Sequence, residues 1–220
     1  MRHPLTDLLQ AAARDRMPPA DGAVRVLPAV AGPVDAVLSF TAHHVIVADV
    51  AETAVLAQLR GDGSQDGLGA PMGPGFLSWL AAVTGSRPGT LDVVLVCEQG
   101  EPDDASWLVA RHYLLDHARV RRAVRYRTDV SVFADGEGNA VLILGRGLAG
   151  SWEVAFEVEP AWRNRGLAKA LLEAAPGLVP GGEPLFAQTA PGNAASLRAL
   201  LTAGFRPIGG EVLLLKSRRA

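Results

Sequence analysis

The chain has 220 residues, 49% of them apolar and 20% charged, enough for one large domain or two small ones, which excludes a disordered or collagen-like polymer. Twenty-one basic residues against 23 acidic ones leave a formal charge of -2, so no global positive field would gather nucleic acid or an anionic membrane. Cys97 is the only cysteine, which rules out an internal disulfide and any Cys-based zinc site and fits a reducing compartment. It follows the apolar run Val93, Val94, Leu95, Val96 and reads as a small buried hydrophobe.

No stretch approaches the roughly 20 apolar residues of a membrane span. Met1 to Pro4 is followed by Asp7, Gln10 and Arg14 in an amphipathic pattern unlike a signal peptide, so a soluble, cytoplasmic protein is expected. Leu8, Leu9 and Ala12 share a face of a helix expected over residues 5–16, which stops before Pro18 and Pro19. Strands are expected at 23–27 and 36–49, the second broken near Thr41 to His44, followed by a helix at 51–59. Residues 61–75 hold six glycines and two prolines and read as a loop or lid. A short helix at 76–83 and a turn at 85–90 lead into a strand at 91–97.

Beyond residue 97 the texture changes. Asp103 or Asp104 would cap a helix running to about residue 119. Alternating segments at 124–133, 140–144 and 151–158, separated by turn residues at 135–139 and 145–150, read as an antiparallel meander. A helix at 163–175 ends at Pro176, and a strand at 185–189, a helix at 193–203 and a strand or hairpin at 205–216 close the order, with Gly209 and Gly210 at a kink. This order predicts an α+β fold with a mixed, mostly antiparallel sheet flanked by helices at 91–220, preceded by an additional α/β part at 1–90. No sequence repeat relates the halves.

The stretch that carries chemistry is a strand running straight into a helix: Phe156, Glu157, Val158, Glu159, Pro160, Ala161, Trp162, Arg163, Asn164, Arg165, Gly166, Leu167, Ala168. Such a junction aims unpaired backbone N–H groups and the positive helix end at one spot. Gly166 lets a phosphate approach the backbone, Ala168 keeps the next turn narrow, and Arg163 and Arg165 can add charge-assisted hydrogen bonds.

At Val158, Pro160, Arg163, Gly166 and Ala168 the sequence resembles the GNAT superfamily of acetyl-CoA-dependent N-acetyltransferases. A second block, Ala190 through Asn193 and Ser196 to Gly204 and Phe205, resembles that superfamily's following helix and its Gly-Phe turn. The resemblance covers about residues 91–220. It implies acetyl-CoA as cosubstrate with no metal, direct transfer of an acetyl group to an amine, and a small-molecule or peptide acceptor. It also implies that the amides of Asn164, Arg165, Gly166, Leu167 and Ala168, with Arg163, hold the pyrophosphate. The backbone of Phe156 and Val158 would pair with the pantetheine arm, and Asn193 would contact the CoA arm. As in two-part members, residues 1–90 would be a degenerate GNAT-like half.

Both proton handlers that the family often uses are missing. Leu200 stands at its tyrosine position and Gln188 at a position sometimes occupied by glutamate. Glu153 and Glu157, two turns of the pleat apart on one strand face, are the remaining candidate bases. Adjacent His43 and His44 point to opposite faces of a strand and lack carboxylates at metal spacing. His112, Asp116 and His117 lie among Arg111, Arg119, Arg121, Arg122, Arg125 and Arg127, a local basic cluster. Two other readings remain open: a CoA-binding regulatory module without catalysis, and a nucleic-acid-interacting adaptor built on the arginine-rich segment 111–127. Either a monomer or a homodimer fits the composition.

Overall fold

The computed structural model describes residues 2–61, 69–98 and 105–217. The chain divides into one unit of Met1–Val93 with Ile208–Ala220 and a second of Val94–Pro207. Among the described residues no helix is long and apolar enough to cross a membrane.

In the first unit, α1 (Pro4–Ala13) buries Leu5, Leu9 and Ala12 and stops short of residue 16, where Asp15 turns left-handed at φ 56°. Strands β2 (Val34–Phe40) and β3 (His43–Val47) form a hairpin whose two-residue turn includes Ala42 at φ 49°. Strand β1 (Val24–Leu27) lies parallel to β3, and β10 (Arg206–Lys216) lies antiparallel to β2, giving the order β1-β3-β2-β10. Val37, Ile46 and Leu214 on one sheet face pack against Val55 and Leu59 of α2 (Glu52–Gly61) and Phe76, Leu80 and Ala81 of α3 (Pro74–Thr84). Strand β4 (Ser86–Cys97) begins five residues before its expected start at 91. Left-handed Gly85 ends α3, and Gly89 then passes so close to Leu213 that a Cβ would come 3.0 Å from its carbonyl oxygen. Of the lid expected at 61–75, residues 62–68 lie outside the described residues, as do Asp103 and Asp104, while Ala70–Met72 form a 3₁₀ turn and α3 already begins at Pro74.

In the second unit, β5 (Val109–Ala110) leads through a 3₁₀ turn at His112–Asp116 to α4 (Ala118–Tyr126). Strands β6 (Thr128–Ala134), β7 (Ala140–Arg146) and β8 (Trp152–Val158) follow as the expected antiparallel meander. Helix α5 (Leu167–Ala174), β9 (Leu185–Thr189) and α6 (Ala194–Thr202) complete the unit. The order β9-β8-β7-β6-β5, with only β8 and β9 parallel among these pairs, is the mixed, mostly antiparallel α+β sheet flanked by helices that the sequence predicts.

Further boundaries in the second unit differ from expectation. The helix capped near 103 is absent over 105–111, because β5 pairs there with β6. The strand expected from 124 begins at Thr128, because Val120 and Ala123, three residues apart, form the buried stripe of a helix instead. The helix expected from Arg163 begins at Leu167, because Asn164 (φ 61°) and Gly166 (φ 83°) cannot join a right-handed helix. The second unit stops at Pro207 rather than reaching 220, because β10 lies between β2 and β4 in the sheet.

Val120 and Ala123 bury against Val132, Ala134, Val141 and Ile143, which fixes α4 on one face of the sheet. Leu142 and Leu144 are buried on the opposite face, where α5 packs on β7 and β8 and against α6.

Candidate functional site

The register of β8 shows where its backbone groups are spent. The Glu159 N–H bonds to the Asn139 carbonyl at 2.9 Å, so in the antiparallel ladder Glu157, Ala155 and Glu153 bond toward β7. The N–H and C=O groups of Phe156 and Val158 therefore point toward the β9 side. The β8–β9 pairing covers only Trp152 with Leu185, Glu153 with Phe186 and Val154 with Ala187. Past those residues the two strands part, leaving a sheet edge inside the unit. The Val158 carbonyl on that edge accepts Arg163 Nε at 3.0 Å, which holds the arginine at the mouth of the split.

The chain then makes a 3₁₀ turn at Pro160–Trp162 and two left-handed residues, Asn164 and Gly166, before α5 begins. Gly166 is the N-cap and supplies no side-chain acceptor to the first amides of α5. A Cβ there would meet nothing within 4 Å, so the space before the helix is open. Arg163 and Arg165 are exposed beside it, with the Arg165 guanidinium 4.9 Å from the Trp162 ring centroid. Uncapped amides, open space and two guanidinium groups make a place for an anion such as a pyrophosphate.

Glu153 and Glu157 do share a face of β8, and both are engaged by arginines that sequence reasoning placed in a diffuse basic cluster. Helix α4 runs antiparallel to β8, so Arg119 near its start meets Glu157 at 3.3 Å and Arg127 just past its end meets Glu153 at 2.7 Å. The two pairs differ in depth: the Glu157 side chain is 36% exposed and the Glu153 side chain 6%. Glu153 also accepts the Leu148 N–H at 3.0 Å, and a Cβ at Gly147 would collide with its carboxylate. Arg127 reaches on from Glu153 to Gln188, donating from Nη2 to Oε1 at 3.4 Å.

The second motif block is built for local reasons. Asn193 Oδ1 caps α6 by accepting the Ser196 N–H at 3.2 Å. At the other end left-handed Gly204 and Phe205 close a Schellman motif: the Phe205 N–H returns to the Leu200 carbonyl at 3.0 Å and the Gly204 N–H to that of Leu201 at 3.2 Å. Leu200 and Phe205 are both buried, so Leu200 is a core residue.

Other candidates stand apart from the split. In the first unit buried His43 donates from Nδ1 to the Asp21 carboxylate at 2.9 Å, and this hydrogen bond holds the Asp21 carboxyl below its ordinary range. His117 is the N-cap of α4, accepting the Arg119 N–H. Arg111 reaches the Gly136 carbonyl at 3.2 Å and Arg121 that of Asp116 at 2.6 Å, while Arg122 and Arg125 stay on the exposed side of α4. Burial pushes the Cys97 thiol up, away from thiolate chemistry. Among the described residues no group of three or more His, Cys, Asp or Glu is placed to hold a metal ion.

Sequence reasoning missed the pairing of Arg119 and Arg127 with the two glutamates, and it did not single out Gly147. The signal for the two ion pairs is the spacing of two arginines eight apart on and just past a helix against two glutamates four apart on a strand, both roughly 12–13 Å. It is visible only when residues 118–126 are read as helix.

No family model matches the chain, and no curated protein does. Solved structures do match. A GNAT-family protein from Novosphingobium aromaticivorans is 22% identical with a TM-score of 0.44, covering 60% of this chain and 68% of its own. A GCN5-related N-acetyltransferase from Kribbella flavida is 18% identical at TM-score 0.41, covering 66% and 65%. The likeness is to GNAT proteins. A tandem GNAT protein from the clavulanic acid biosynthesis pathway is 15% identical at TM-score 0.37, covering 62% of this chain and 57% of its own. At these identities the likeness concerns fold alone.

Proposed function

We propose that the second unit is a GNAT-type N-acetyltransferase that moves an acetyl group from acetyl-CoA directly to an amine of a small-molecule or peptide acceptor. The observation that carries this reading is the parting of β8 from β9 beside the open, uncapped start of α5. The edge groups of Phe156 and Val158 are spaced to pair with an extended amide-bearing arm, as an added strand would. The amides from Asn164 to Ala168, with Arg163 and Arg165, would hold the pyrophosphate, and Asn193 keeps its amide N–H₂ for the CoA arm after capping α6.

Acetyl-CoA supplies a thioester carbonyl: the acceptor nitrogen bonds to that carbon, the C–S bond breaks and CoA leaves as thiolate. The protein's part is to place the two reactants and to receive the proton that the amine loses. Glu157 is the carboxylate for that task, since its half-exposed pair with Arg119 can exchange with water, whereas Glu153 is committed to its buried partners.

The test is a titration of the full chain with CoA and acetyl-CoA, followed by calorimetry and melting, then thiol release with a panel of amines. Binding with a rise in melting temperature is expected by linkage, and replacing Gly166 by leucine should abolish both. Absence of heat and of a melting shift in the wild type would overturn the proposal. Binding without thiol release from any amine would favour the regulatory CoA-binding module, a reading that the arginine-paired state of both glutamates supports.

A further inference from the structure

Gln188 is the first residue of β9 beyond Ala187, its last position paired with β8. By the alternation of the strand its side chain shares a face with Phe186, which lies opposite Glu153 on β8. Its amide is oriented by chemistry: a guanidinium only donates, so the atom facing Arg127 Nη2 is the oxygen, and the N–H₂ group is turned away from the arginine. Among the described residues that N–H₂ has no hydrogen-bond partner.

The group that orients it is itself held firmly. Arg127 is 11% exposed at its side chain and bonded to Glu153 at 2.7 Å. Glu153 is fixed in turn by the Leu148 N–H at 3.0 Å and by the space that Gly147 leaves for its carboxylate. The chain Leu148, Glu153, Arg127, Gln188 runs from a buried strand turn to the point where β8 and β9 separate, and each link dictates the direction of the next. A glutamate at 188 would present only acceptors and would be neutralised by Arg127. Glutamine ends the same chain with a pair of donors.

We infer that Gln188 donates its side-chain N–H to the carbonyl oxygen of an acyl thioester lying in the split between β8 and β9, with Arg127 and Glu153 as its positioning residues. The inference rests on the acetyl-CoA reading above. Negative charge gathers on that oxygen as the amine adds to the carbonyl carbon and before the C–S bond breaks, so a donor already aimed at it favours the reaction most where the charge is greatest. In the resting complex the same bond distinguishes the acylated from the free cosubstrate, because CoA has no acyl oxygen to receive it.

That distinction gives a test independent of any acceptor. Calorimetric affinities of the full-length protein for acetyl-CoA and CoA are measured for the wild type, Gln188→Leu and Glu153→Gln, together with the infrared carbonyl stretch of bound acetyl-CoA labelled with ¹³C at the carbonyl. The wild type should prefer acetyl-CoA by about fivefold, the factor expected of one ordinary neutral hydrogen bond. Its carbonyl stretch should lie below that of the free thioester. Gln188→Leu should bring the preference to about one and restore the free stretch while CoA affinity stays within about twofold, and Glu153→Gln should lose part of the shift.

A wild-type stretch equal to that of free acetyl-CoA overturns the proposal without recourse to any variant. So does a preference that survives in Gln188→Leu. A wild type that binds neither CoA nor acetyl-CoA overturns the underlying cosubstrate reading, a result distinguishable from either of those.

Discussion

At the scale of single residues, the two glutamates that look equivalent in sequence part company. Glu153 is a buried structural anion, and Glu157 a half-exposed one whose arginine partner is held weakly by water-screened attraction. Glu157→Gln should therefore lower turnover by about 10²-fold with an established amine while leaving CoA affinity nearly unchanged. An unchanged rate would assign the proton to bulk water or to the acceptor. Leu200 carries the opposite lesson. A tyrosine there would match the residue that the resemblance to GNAT proteins leads one to expect, yet the position is buried and its carbonyl closes the Schellman motif beneath Phe205. Overpacking predicts that Leu200→Tyr lowers stability by about 1–3 kcal/mol and does not raise turnover. A chemical denaturation series beside thiol-release rates checks both halves, and a stable, faster variant would contradict them.

At the scale of elements, α4 is fastened to β8 at both ends by ion pairs of unlike worth. Removing Arg127 strands the Glu153 charge in a buried site and should cost about 3–5 kcal/mol, whereas removing Arg119 frees an exposed carboxylate and should cost less than about 1 kcal/mol. Melting of Arg127→Ala and Arg119→Ala reads the difference directly, and equal costs would contradict the assignment of depth. The same helix shows where sequence reasoning stops. The meander of β6, β7 and β8 is legible because each strand is an apolar segment bounded by turn residues, although β7 is buried on both faces rather than alternating, and the β8–α5 junction is legible because Gly166 and its flanking arginines are local signals. Helix α4 is not, since five arginines in or beside it leave only Val120 and Ala123 to mark its buried stripe, and Val124 to Phe133 mimic a strand by alternation. With the helix misread, the pairing of Arg127 with Glu153 and its extension to Gln188 are beyond reach, because they depend on which elements become neighbours.

At the scale of the whole molecule, the mixed strand order of the second unit is written in local patterns, while the allegiance of β10 is not. Residues 205–216 follow the helix of the second unit directly, and only non-local pairing, between β2 and β4 in the sheet, assigns Ile208 onward to the first unit. The functional reading rests wholly on the second unit, where a split sheet edge, an open turn and a buried polar chain converge on the space between β8 and β9. The most direct measurement is amide hydrogen exchange of the full chain with and without saturating CoA. The account predicts selective slowing at Phe156, Val158 and residues 164–168, with the paired residues Trp152 to Val154 unaffected. Binding of CoA that left these amides exchanging at their free rates would contradict it.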